Sequence, residues 1–147
     1  MIKVLTRAAV VVGLCTLCQA PAFAEPVDRW WSGWGMGVHE YGWSGSDDST
    51  IYMTCESKTD LGLRVAIRGI DPKPKSEIIF ALNGQKIRFW TKPDGDIETQ
   101  SRASMNNLYF LFDELRAGNE MTLSFNGLSK RFSLAGSSKG LGSEFCE

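Results

Sequence analysis

EIIFALNGQKIRFW, residues 77–90, decides the fold class. Two apolar runs alternate on a period of two and meet at Asn83-Gly84. A two-residue hairpin turn needs positive φ at both central positions, and Asn-Gly is the pair that adopts it most readily. The stretch therefore predicts a β-hairpin that pairs 77–82 with 85–91. Upstream, GIDPKPKSE (69–77) carries two prolines and reads as a loop. Before it, LGLRVAIRG (61–69) sets Leu63, Val65 and Ile67 on one face and Arg64, Ala66 and Arg68 on the other, a half-buried strand with one wet face. STIYMTC (49–55) alternates Ile51, Met53 and Cys55 against Tyr52 and Thr54.

Downstream, KPDGD (92–96) is a turn, and Ile97 to Ala103 is expected as a further, polar strand. SMNNLYFLFDELRAGN (104–119) changes the period. Leu108, Leu111, Phe112 and Leu115 recur at helical spacing, Ser104 or Asn106 can cap the start, and Gly118 suits a left-handed helix end. These signals predict a short helix at about 106–116. EMTLSFNGLSKRFSLAG (120–136) reads as a second hairpin around Asn126-Gly127, and SSKGLGSEFC (137–146) as one or two helical turns that carry Cys146 to its partner. The order is mainly β, with one helix inserted late. It predicts a small antiparallel β-sandwich or barrel-like sheet with a disulfide-pinned C-terminus.

The N-terminus sets the expected compartment. Residues 1–24 combine basic Lys3 and Arg7, an apolar run from Ala8 to Leu17 and the small-residue site Ala22-Phe23-Ala24. This is the pattern of a secretory signal peptide cleaved near Ala24. Cys15 and Cys18 each follow a leucine, which argues against lipidation. No other run reaches the roughly 20 apolar residues of a transmembrane helix. Removing 24 of 147 residues leaves 123, one domain over 25–147. The removed segment holds two of 16 basic residues and none of 17 acidic ones, so 14 face 17 and the net charge becomes −3. A mildly acidic chain without a basic run is a poor partner for nucleic acid. Two of the four cysteines leave with the signal. Cys55 and Cys146 remain as an even pair in an oxidising compartment, the setting for a disulfide. Closing a loop of about 90 residues is worth roughly 4–5 kcal/mol in the chain-entropy model.

Chemistry for catalysis is sparse. His39 is the single histidine, and its neighbour Glu40 points to the opposite face of a strand. No Gly-x-Ser-x-Gly elbow is present. SGSDDS (44–49) reads as a solvated turn, and Asp47 and Asp48 lack the spacing of a calcium loop. Asp94, Asp96, Glu98, Asp113, Glu114 and Glu120 are carboxylates that nothing in the sequence brings together. GSSKG (136–140) lacks the spacing of a phosphate loop. Two distant cysteines and one histidine do not make a four-ligand zinc site. Neither a metal nor a cofactor is expected.

The compositional exception is RWWSGWGMGVHEYGW, residues 29–43, with four of the five tryptophans. Within it MGVHEYGW reads as a strand with Val38 and Glu40 on one face and His39 and Tyr41 on the other. Trp30, Trp31, Trp34, Tyr41 and Trp43 are the candidate binding residues, since rigid aromatics make interface anchors and stack on sugar rings. The competing expectation is that at least two of the four tryptophans cover one end of the core, because tryptophan is highly buried on average.

The second half also has a family cadence. Cys55 upstream, then Phe132, Leu134, Gly136, Ser137 and Cys146, occur in a span from Ile51 to Cys146 that resembles small exported proteins of Gram-negative bacteria. These include the invasion-associated locus B family and periplasmic proteins associated with type VI secretion. The resemblance implies a periplasmic or secreted β-rich domain with a disulfide, linked to envelope or host-interaction roles, and it supplies no catalytic residues. The expected function is a non-enzymatic interaction protein of the bacterial envelope, with a protein or glycan of the envelope or host as partner. An envelope hydrolase, or an inhibitor of a periplasmic enzyme or toxin, is the alternative.

Overall fold

The structure, a computed structural model, describes residues 27–146. The expected signal peptide and its cleavage point lie outside the described residues. Eight strands form two antiparallel sheets: β1 (Arg29–Gly35), β2 (Val38–Ser44), β3 (Thr50–Ser57) and β4 (Asp60–Ala66) in sequential order, and β5 (Glu77–Leu82), β6 (Gln85–Trp90), β7 (Glu120–Phe125) and β8 (Leu128–Ser133) in the order β6-β5-β7-β8. The chain is therefore a two-sheet sandwich, not a barrel.

Alternation chooses the inner faces. Across the first sheet, Trp30, Trp43, Ile51 and Val65 stand in one row, and Ser32, Tyr41, Met53 and Leu63 in the next. Across the second, Ile78, Phe80 and Leu82 meet Phe89, Ile87, Phe125, Leu123 and Met121. These inward apolar side chains, Trp43 partly and the rest fully buried, belong to one core. Asn83 (φ 50) and Gly84 (φ 74) make the expected turn, as do Asn126 and Gly127 (φ 48 and 77).

The helix α1 (Arg102–Ala117) buries Leu108, Leu111, Phe112 and Leu115, but it starts earlier than the sequence suggests. Ser101, not Ser104 or Asn106, is the N-cap, and its hydroxyl accepts from Ser104 N–H at 3.2 Å. The cause is Glu98, whose carboxylate accepts from Ser101 N–H and Gln100 N–H at 2.7 and 2.8 Å and from the hydroxyls of Ser101 and Ser104. This fold-back also removes the expected strand over 97–103. Only a bridge between Thr91 and Ile97 forms. Side chains tether the segment to β4 instead, with Thr99 Oγ1 and Gln100 Nε2 both donating to Leu61 O.

The other end of α1 differs too. Gly118 is extended (φ −88, ψ 175), not left-handed. Glycine is favoured there by contact: a Cβ would lie 2.8 Å from both Asn83 Oδ1 and Leu134 Cδ1, and those side-chain ends would have to shift. Asn83 uses that closeness to donate to Glu114 O at 3.2 Å, so the β5–β6 turn caps α1. The short helix α2 (Ser137–Gly140) then leads to the disulfide Cys55–Cys146, with Cα atoms 5.4 Å apart.

Candidate functional site

The tryptophan-rich stretch folds into a hairpin of β1 on β2. Its turn is Met36-Gly37, at φ 53 and 85. Sequence reasoning passes over this turn because methionine is not a turn residue; the glycine after it, inside an alternating stretch, is the signal that marks the reversal.

The hairpin sorts its aromatics by depth. Trp30 is 5% exposed, and its indole N–H donates to Ser133 O at 3.0 Å. Tyr41 is 4% exposed; its hydroxyl donates to Glu144 O at 3.4 Å and accepts from Cys146 N–H at 3.1 Å. Trp43 is half-buried and meets Phe132 edge-on at 5.0 Å, with Lys130 Nζ 5.2 Å from its ring and paired to Asp47. The candidate binding set therefore shrinks, since Trp30 and Tyr41 are core residues. Two aromatics of the set remain at the surface. Trp31 lies half-buried on the outer face, over Gly42 and 6.1 Å from Tyr52, whose hydroxyl donates to Glu40 at 2.5 Å. Trp34 is 67% exposed, and Met36 beyond it is fully exposed. Trp30 and Trp34 share a face, but Trp30 reaches β8 through Ser133 whereas Trp34 borders an open cleft beside the C-terminal segment.

Trp34 pairs in register with His39. Both line a cleft of about 320 Å³ with Tyr41, Leu141, Ser143 and Glu144. Among the described residues the His39 side chain makes no hydrogen bond or ion pair. A second groove of about 430 Å³ runs between the outer face of β3–β4 and the 92–100 loop, with Tyr52, Arg64, Asp96 and Gln100 on its walls. Lys92 there contacts both Asp94 and Asp96, at 3.4 and 3.6 Å, the one place among the described residues where a cation gathers two of the candidate carboxylates of a glycosidase pair. Their electrostatics do not suit that role. The Asp94 carboxyl is pushed down by hydrogen bonding from Asp96 N–H and by Lys92, where a general acid needs the opposite. Asp47 is likewise lowered by Lys130. Among the described residues no group of three or more His, Cys, Asp or Glu is arranged to hold a metal, and no helix is long and apolar enough to cross a membrane.

A stacked pair of antiparallel sheets, closed by one helix and stapled at its C-terminus, with an aromatic hairpin left uncovered at one end, defines a small disulfide-bonded β-sandwich. Residues 28–141 match the family model YfjT, and the chain belongs to that family. The match includes the tryptophan hairpin. No curated protein and no solved structure gives a significant match.

Proposed function

We propose that the chain is an exported, non-enzymatic interaction protein of the bacterial envelope, which meets its partner through the uncovered end of the β1–β2 hairpin. One observation carries this reading: Trp34 and Met36 are the most exposed large apolar side chains among the described residues, Trp34 on the paired strand β1 and Met36 in the turn that follows it. Large aromatics with few torsions to freeze are the side chains that interfaces use as anchors. Export is supported by the signal-like N-terminus, by the cysteine pair and by the resemblance of the second half to exported Gram-negative proteins. The test is binding of the full-length product to isolated bacterial envelopes. Trp34→Ala should keep its melting temperature and lose most of the binding; equal binding by that variant would remove the hairpin from the function.

An envelope hydrolase is the second reading, favoured by His39 sharing a cleft with Ser143 and Glu144. A nucleophile and its base normally lie within hydrogen-bond reach, and His39 makes no such contact. Hydrolysis of a chromogenic ester that His39→Ala abolishes would support it over the interaction reading.

A further inference from the structure

A strand at a sheet edge presents unpaired N–H and C=O groups to any chain that can reach them. Three of the four edges in this fold take bonds from other segments. On β4, Leu61 O accepts from Thr99 Oγ1 and Gln100 Nε2. On β6, Arg88 O accepts from Asn107 Nδ2 and Trp90 O from Glu98 N–H. On β8, Ser133 O accepts from Trp30 Nε1. The fourth edge, β1, differs. Gly35 and Val38 close its two-residue turn, so Gly35, Gly33 and Trp31 bond inward to β2 and the residues between them turn their backbone groups outward. Gly140 lies against Trp30 O, where a Cβ on that glycine would sit 2.3 Å away, so α2 covers this end of the edge. Ser32 and Trp34 keep outward N–H and C=O groups that nothing bonds among the described residues.

The open stretch is short and has a centre. It runs from Trp31 to Gly35, bounded by α2 and by the turn, with Gly33 in the middle. It has no charge, proline or bulge, the devices that keep an edge from pairing. Two antiparallel copies can therefore pair about a two-fold axis through Gly33. Ser32 of each copy then faces Trp34 of the other as a hydrogen-bonded pair, and the two Gly33 meet at the closer site, about 4.5 Å between Cα atoms. Centring the pair on Ser32 would set Trp34 against Trp30, where Gly140 already sits; centring it on Trp34 would run into the turn.

The side chains suit this register. Ser32 and Trp34 point to one face and line one cleft with His39, Leu141, Ser143 and Glu144. Opposite the small Ser32, Trp34 of one copy enters the cleft of the other. The two indoles stand on the diagonal, about 7–8 Å apart, within reach of aromatic side chains. One surface thus carries both a projecting group and its receptacle, as a self-complementary contact requires.

We infer that β1 pairs antiparallel with β1 of a second copy about Gly33, which joins two four-stranded sheets into one, with Trp34 of each copy in the cleft of the other. The contact is small, so the dimer is transient, with a dissociation constant on the order of 100 µM. This goes beyond the proposed function. The pair covers the hairpin end that an envelope partner meets, so the two contacts alternate on one surface.

The test is sedimentation velocity of the full chain from about 10 µM to about 1 mM. The wild type should pass from monomer to dimer across that range. Trp34→Ala should raise the dissociation constant about tenfold. Gly33→Glu sets two carboxylates against each other on the axis and should abolish association. Its Cβ meets nothing within 4 Å, so this variant should melt within a few degrees of the wild type. Mixing Gly33→Glu with Gly33→Lys should restore a heterodimer, a result that an effect on folding does not produce. The inference is overturned if the wild type stays monomeric, if Gly33→Glu or Trp34→Ala associates as the wild type does, or if the mixture stays monomeric. A chain that is monomeric throughout and still binds envelopes through Trp34 would overturn it and leave the proposed function standing.

Discussion

Glu98 illustrates the residue scale. Burial disfavours its charge, but hydrogen bonds from the hydroxyls and backbone of Ser104, Ser101 and Gln100 outweigh it and bring the pKa from 4.5 to about 2. A carboxyl lowered on folding stabilises the native state above its unfolded pKa and loses that contribution as pH falls through the folded one. Wild type should therefore be more stable than Glu98→Gln by about 1–2 kcal/mol at pH 7. The gap should close between pH 4.5 and about 2. Chemical denaturation at several pH values measures it, and a gap independent of pH would refute the capping role. The sequence offers Glu98 only as an unplaced carboxylate. Its use as a cap depends on Ser101 and Ser104 turning back towards it, which a strand reading of 97–103 hides.

At the scale of elements, the C-terminal segment is held by chemistry and packing together. Phe145 stands 5.1 Å from Tyr41, 5.2 Å from Tyr109 and 4.9 Å from Phe112. The disulfide fixes the next residue to β3. Breaking the bridge with Cys146→Ser should cost about 4–5 kcal/mol by loop entropy. The aromatic cluster should hold the segment partly in place, so hydrogen exchange is expected to rise first over 141–146 and only later in β3. Uniform loss of protection would show that the segment is integral to the core. The helix, by contrast, was legible because Leu108, Leu111, Phe112 and Leu115 fix a face locally. Its ends were not, because Glu98 sets one and contact with Asn83 and Leu134 sets the other.

Across the whole molecule, Trp30 and Trp34 make the sharpest contrast. They are four residues apart on one strand and one face, yet one is buried and the other open. Trp30→Ala should destabilise by about 3–5 kcal/mol, as cavity-forming aromatic truncations do. Trp34→Ala should stay within about 0.5 kcal/mol of wild type. Urea unfolding of the two variants decides this, and similar losses would mean that Trp34 also packs. By itself the sequence determined strands β2 to β8, the two Asn-Gly turns, the helical face and the pairing of Cys55 with Cys146, because alternation, turn chemistry and a lone cysteine pair are short-range or countable; it missed β1 and read 97–103 as a strand that does not form. Only the tertiary structure decided that two sheets stack, that Met36 turns the first hairpin, and that Trp34 rather than Trp30 faces outward. Period-two alternation says which face a side chain takes; what lies beneath that face depends on which distant segments pack there, β8 at Trp30 and an open cleft beside the C-terminal segment at Trp34.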